Sequence, residues 1–209
     1  MPPHESLLLD RFAEMKDIHV APALERNCIG LVLYKPDCTA TGLDHPICDF
    51  IEREIGQETG KPATLFAFSR VALDRDKVKQ LYPEQKHAPY LKYIEDHLTS
   101  GPVNMVLVVT PDAPQQLNKL KGSIKTGTGI RGNFLLSNPI DEQTLLRWQS
   151  GELSPEETQK IGTDLFAANL VHVPDDQQET KKAIELLYPK SDLSALINSV
   201  PLFSRWYSQ

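Results

Sequence analysis

The chain has 209 residues, enough for one large domain or two small ones with a hydrophobic core that needs no disulfide support. Its 40% hydrophobic and 24% charged residues belong to an ordinary globular protein and exclude a disordered, fibrous or collagenous one. With 28 acidic residues against 22 basic ones the net charge is -6, which argues against a general binder of nucleic acid held by phosphate neutralisation, so no specific nucleic acid is expected as a partner.

The chain order begins with an expected helix from Glu5 to Asp17, read as part of an N-terminal extension over residues 1–27, and a loop at Pro22. Leu7, Leu8 and Leu9 are followed at once by Asp10 and Arg11, so no secretory leader is read there. Cys28 to Tyr34 is an unbroken apolar run and reads as a buried strand, stopped at Lys35-Pro36-Asp37 by a proline that cannot donate to a ladder. Asp44 is placed to cap a helix with Pro46 in its first turn and Ile47, Phe50, Ile51 and Ile55 on one face, ended by Gly56 and Gly60. Residues 63 to 73 alternate like a strand. Asp74 then opens a short helix closing near Tyr82-Pro83, and a further helix is expected from Ala88 to Leu98.

Ser100-Gly101-Pro102 breaks that helix and leads into a second buried strand, Val103 to Val109, rich in β-branched residues. Asp112 is read as the cap of a helix ending near Gly122. From Ala113 through Ile140 no acidic residue occurs, while Lys119, Lys121, Lys125 and Arg131 supply cations. Gly127, Gly129 and Gly132 let backbone N–H groups come close to an anion, so this segment reads as a cationic loop suited to phosphate. Its letters match a dinucleotide GxGxxG fingerprint, but no strand leads into it and Asn133 onward does not read as the helix that must follow. The P-loop spacing from Gly122 to Gly127 fails too, because Thr128 stands where the lysine belongs.

After Pro139 the chain turns acidic, and Asp141 to Asn169 reads as two helices, the second opened by a capping box at Ser154-Pro155-Glu156-Glu157. Leu170 to Val173 is a short strand in which His172 projects from the face opposite to its valine neighbours. Asp175 or Asp176 caps the next helix, with Ala183, Ile184 and Leu187 on one face. The tail ends in an aromatic segment at Phe203, Trp206 and Tyr207. The six scattered histidines form no HExxH pair, so no metal-binding residues are expected. Three cysteines without a CxxC pair suggest a reducing, cytoplasmic setting. No run approaches the roughly 18 apolar residues of a membrane span.

His172 is singled out because a neutral imidazole is nucleophilic near pH 7 and can carry a phosphoryl group, splitting one transfer into two steps. A core histidine satisfied by its neighbours is the bland alternative. Several segments in order resemble those of one family. Tyr34-Lys35-Pro36-Asp37 follows a strand. Tyr82, Pro89-Tyr90 and Ser100-Gly101-Pro102 are spaced like that family's Tyr, Pro-Phe and Ser-Gly-Pro. Gly129-Ile130-Arg131-Gly132-Asn133-Phe134 looks like Thr-Ile-Arg-Gly-Asp-Phe, and Asn169-Leu170-Val171-His172 looks like Asn-x-x-His. From about Cys28 to Tyr188 the chain resembles the nucleoside diphosphate kinases, with a shortened loop between Gly122 and Arg131 and an acidic insertion before the histidine.

The resemblance implies an α+β fold, with a ferredoxin-like four-stranded antiparallel sheet covered by helices over residues 28–209 and a helical insertion at about 137–168. It implies that His172 takes the γ-phosphoryl group of a nucleoside triphosphate and passes it to a nucleoside diphosphate, with Mg2+ carried on the nucleotide phosphates. Lys35 and Arg131 would hold phosphate oxygens, Asn169 the sugar hydroxyl, Tyr82 would sit beside the histidine, and Tyr90 would stack on the base. Asn118 stands where the family has a phosphate-binding arginine, with Lys119 or Lys121 as alternatives, and Thr126 or Thr128 would supply the threonine ligand. Val173-Pro174 replaces Gly-Ser, and Ala183 replaces a glutamate that, with that serine, orients the histidine, so Glu179, Glu185 or something in the insertion would have to take over. These departures leave three readings open: a phosphotransferase, a nucleotide-binding regulatory module that lost efficient transfer, and a relative with a different phosphoryl acceptor. They also leave open a homo-oligomer, since the shortened loop and the tail are regions the family uses in assembly.

Overall fold

The computed structural model describes residues 27–123, 127–134 and 140–209. The helix expected from Glu5 to Asp17, Lys125 and the threonine Thr126 lie outside the described residues. Among the described residues, four strands form one sheet: β1 (Ile29–Tyr34), β2 (Thr64–Val71), β3 (Val103–Val109) and β4 (Val171–His172). Their spatial order is β2-β3-β1-β4 and every neighbouring pair is antiparallel, which is the ferredoxin-like arrangement.

The central strands read as unbroken apolar runs because both faces of the sheet are covered. Ile29, Leu31, Leu33, Met105 and Leu107 enter one core, and Val32, Tyr34, Val106 and Val108 enter the other. The first core is closed by α3 (Arg75–Leu81), α4 (Leu91–Leu98), α9 (Gln177–Leu187), α10 (Lys190–Ser199) and α11 (Pro201–Tyr207), through residues such as Val78, Ile94, Ile184 and Trp206. The second is closed by α1 (Pro36–Thr41), α2 (Asp44–Thr59), α5 (Ala113–Lys121) and α6 (Gly129–Phe134), through Cys38, Ile51, Leu117 and Ile130.

Several boundaries differ from those read in the sequence. Lys35-Pro36-Asp37 does more than stop β1: Pro36 opens α1, which ends at Gly42 in the left-handed conformation. Leu43 takes the cap position of α2, and Asp44 is its first residue, whose carboxylate accepts a hydrogen bond from Asn104 Nδ2 at 2.9 Å. Gly56 lies inside that helix and only Gly60 ends it. α4 starts at Leu91, since residues 83–85 form a 3-10 turn first. Asp112 precedes α5 but at φ 49° its side chain makes no capping bond.

The largest difference is at the glycines. Gly129 to Phe134 is the helix α6, not an open phosphate-cradling loop. Ser123 and Thr128 pair through their backbones, and the bare Cα atoms of Gly122 and Gly129 face each other across that closure. A Cβ on Gly129 would lie 2.3 Å from the Leu120 carbonyl oxygen, so these glycines serve backbone packing. Phe134 meets Phe50 edge-on at 5.6 Å, holding α6 to α2.

Among the described residues of the insertion are two helices, α7 (Glu142–Ser150) and α8 (Pro155–Phe166). Asp141 caps the first by accepting from the Thr144 N–H at 2.8 Å, and Ser154 with Glu157 forms the expected capping box on the second. α8 lies on α4 with Gly162 against Tyr93, where an added Cβ would come within 2.4 Å of the ring.

Candidate active site

β4 has two residues, and their alternation does the positioning. Val171 enters the second core, while His172, paired with Leu33 of β1, turns to the opposite face. There its ring meets Tyr82, at the end of α3, with centroids 4.7 Å apart and planes tilted by 49°. His172 is half-buried. Its removal from water and the nearby cations Lys35, Lys121 and Arg131 push its pKa down to about 3, so the imidazole is neutral at pH 7.

Lys35 follows β1 directly and is 3% exposed. Its ammonium donates to Asn169 Oδ1 at 2.7 Å and to the Ala167 carbonyl at 2.9 Å. Burial first, then Arg131 and Lys121, lower its pKa to about 7 against the opposing pull of Asp37. Arg131, from α6, donates through Nη2 to the same Asn169 oxygen at 3.2 Å and to the Val171 carbonyl at 3.4 Å. Burial lowers its pKa too. Five of the residues singled out in the sequence, Lys35, Tyr82, Arg131, Asn169 and His172, therefore meet in one place, drawn from β1, α3, α6 and the strand-to-helix segment around β4.

Cations are in excess there. Among the described residues, Arg131 Nε and the Tyr82 hydroxyl are buried without a hydrogen-bond partner. Burying an unsatisfied donor costs about 1–3 kcal/mol. The Lys35 ammonium, the Arg131 guanidinium with its unpaired Nε, and the Tyr82 hydroxyl together make a surface complementary to an anion with several oxygens.

The remaining residues are placed differently. Asn118 spends its amide on the carbonyls of Pro114 (3.1 Å) and Pro174 (2.9 Å), bracing the backbone just beyond His172. Lys119 pairs with Glu58 at 2.6 Å on the exposed outer side, whereas Lys121, close enough to bias Lys35 and His172, also reaches Asp175 at 3.4 Å. Thr128 takes part in the backbone closure with Ser123. Tyr90 is half-buried and its ring stacks on Phe166 of α8, with centroids 4.8 Å apart and planes within 12°.

Nor do the two substitute carboxylates turn to the imidazole. Glu179 accepts from the Asp175 N–H at 2.9 Å and Glu185 from the Tyr207 hydroxyl at 2.8 Å. Ala183 is buried in the first core. Among the described residues no hydrogen bond reaches the His172 ring.

No family model matches the chain. A curated nucleoside diphosphate kinase of Ignicoccus hospitalis is 34% identical over 110 residues, covering 51% of this chain and 70% of that protein. This chain belongs to the nucleoside diphosphate kinase family. Two solved nucleoside diphosphate kinases share the fold at TM-score 0.54. That of Halobacterium salinarum, in complex with CDP, is 19% identical and matches 78% of this chain and 89% of its own. That of Borrelia burgdorferi, a transition-state mimic with bound vanadate and ADP, is 16% identical and matches 78% of this chain and 88% of its own.

Two features of this nucleoside diphosphate kinase family member escape sequence reading. Phe166 stands on the Tyr90 ring, yet its place in an insertion carries no such signal. Asp37 lies in the Lys-Pro-Asp signature, but its partners, 60 and 133 residues away, are visible only in the fold.

Proposed function

We propose that the protein is a phosphotransferase that moves the γ-phosphoryl group of a nucleoside triphosphate to a nucleoside diphosphate through phosphohistidine at His172. The observation that carries this reading is the His172 imidazole set close to Lys35 and Arg131, two desolvated cations that share one neutral amide oxygen. The imidazole lone pair attacks the γ-phosphorus, a nitrogen–phosphorus bond forms, and the bond from that phosphorus to the β-phosphate oxygen breaks. The nucleoside diphosphate leaves with the bond electrons. A second diphosphate then attacks the phosphoimidazole in the reverse sense and restores the neutral ring. Lys35 and Arg131 hold the equatorial oxygens as charge spreads over them, the Tyr82 hydroxyl and Arg131 Nε supply the waiting donors, and Asn169 takes the sugar hydroxyl.

A divalent ion fits this site only as part of its substrate. The lining cations repel a bare Mg2+ and attract its polyphosphate complex, so the nucleotide's own oxygens hold the metal. Mg2+ supplies charge neutralisation of the phosphates when bound. We read residues 28–209 as the unit that carries this chemistry, with the insertion supplying the wall against Tyr90.

A second reading, a nucleotide-binding regulatory module, is favoured by one observation: no hydrogen bond orients the ring among the described residues. Incubation with γ-labelled ATP and Mg2+ separates the two. The kinase reading expects acid-labile, base-stable label on the protein, lost in His172→Ala and discharged by GDP or CDP. Nucleotide binding without label would leave the regulatory module, and label that no diphosphate removes would mean another acceptor.

A further inference from the structure

Leu170 sits at φ 69° in the middle of a γ-turn that the Val171 N–H closes onto the Asn169 carbonyl at 2.8 Å, a rare and strained setting for a residue with a side chain. Both of its backbone polar groups are tied to the segment after β1. The Lys35 N–H donates to the Leu170 carbonyl at 2.8 Å, and the Leu170 N–H donates to Asp37 Oδ2 at 2.9 Å. The other oxygen of Asp37 is held by His97 Nε2, from α4, at 2.9 Å. The His97 side chain is 10% exposed and that of Asp37 20%, so this chain of contacts is largely shielded from water. Burial opposes ionisation of Asp37, but the hydrogen bond and charge of His97, the Leu170 N–H and Lys35 together hold its carboxyl below the ordinary range.

What Leu170 separates gives this clamp its meaning. On one side is Asn169, which receives Lys35 and Arg131; on the other is Val171, whose carbonyl receives Arg131, and then His172. Rotation at Leu170 would swing Asn169 and His172 apart. Pro174 and Ala183 cannot orient the imidazole from beyond β4, so its aim depends on the backbone that carries it. We infer that Asp37, braced by His97, is a positioning residue that aims His172 by locking the strained positive-φ turn at Leu170. This rests on the phosphotransferase reading for its purpose, though not for its geometry.

The test uses the full chain with Asp37→Ala, Asp37→Asn and His97→Ala. Single-turnover phosphorylation by γ-labelled ATP reads the rate constant separately from the amplitude, and the amplitude alone reports the fraction of folded protein. Nuclear magnetic resonance reads the His172 ring protons, which feel the Tyr82 ring current, and the exchange of the Leu170 amide. Asp37→Ala is expected to lower the rate constant by about 10²-fold, the loss typical of a misplaced reacting group, with amplitude kept within about twofold. The His172 ring resonances should move and the Leu170 amide should exchange at least about tenfold faster. Asp37→Asn keeps an acceptor for the Leu170 N–H and should recover most of the rate, while His97→Ala should fall between the two. An unchanged rate constant with falling amplitude, or an unmoved His172 resonance in Asp37→Ala, would overturn the inference. Should the natural chain take up no label at all, the phosphotransferase reading fails, and the resonance and exchange measurements still decide whether the clamp sets the ring.

Discussion

Lys35 offers a way to observe the electrostatics of the site through nucleotide binding alone. In the free protein its pKa is lowered to about 7 by burial and by Arg131 and Lys121. At pH 8 an ammonium with that pKa is only about one-tenth protonated, and a polyphosphate placed against it would restore the charged form toward its ordinary value, so binding should take up about 0.9 proton. At pH 7 the uptake should be about 0.5 proton, since half the groups are already charged. His172 contributes nothing at pH 8, because its pKa is pushed down to about 3 and the ring is neutral both before and after. Titration calorimetry with MgADP in buffers of different ionisation enthalpy measures this number directly. Lys35→Met should remove the uptake and weaken binding. Zero uptake, or proton release, at pH 8 in the natural chain would refute the argument that Lys35 is desolvated, short of counter-charge and in contact with phosphate.

Three other outcomes are expected. Tyr90→Ala should weaken binding of ADP, GDP and CDP to a similar degree, by about 1–3 kcal/mol in equilibrium titrations, because stacking uses a ring face common to all bases; loss confined to one base would contradict it. Gly162→Ala should destabilise the fold by about 1–3 kcal/mol in urea denaturation, since its methyl group would meet the Tyr93 ring at 2.4 Å, and a gain in stability would contradict a close contact of α8 with α4. The unfolded imidazole of residue 172 binds a proton below about 6.5 that the native ring refuses until about 3. Stability should therefore be lost as pH falls through that window, by up to about 5 kcal/mol, and His172→Ala should flatten the slope measured by denaturant titration.

β1 and β3 were legible because strands buried on both faces become continuous apolar runs, and residues 29–34 and 103–109 have no other use for such sequences. β4 was legible as the short run from Leu170 to Val173, of which only Val171 and His172 pair with β1. α8 was legible through the Ser154 capping box, which is a local device. α6 was not, because glycine at positions 129 and 132 speaks for a loop, and the backbone contact between Gly122 and Gly129 that requires it is non-local. The same distinction divides the site. Lys35, Arg131, Asn169 and His172 stand in short motifs, whereas the closure of Phe166 on Tyr90 and the bond from His97 to Asp37 arise from how helices pack. Asn118 shows the converse: its register suggests a substitute for arginine, while its amide is committed to two carbonyls.

One oxygen atom, Asn169 Oδ1, accepts from both Lys35 and Arg131. Had aspartate stood there, its negative charge would have satisfied both cations internally and left little attraction for an arriving anion. A neutral amide orders the two donors without quenching them. In a chain whose net charge is -6, that choice creates a local well for polyanions amid a repelling exterior, so nucleotide is held by this pocket against the repulsion of the surface around it.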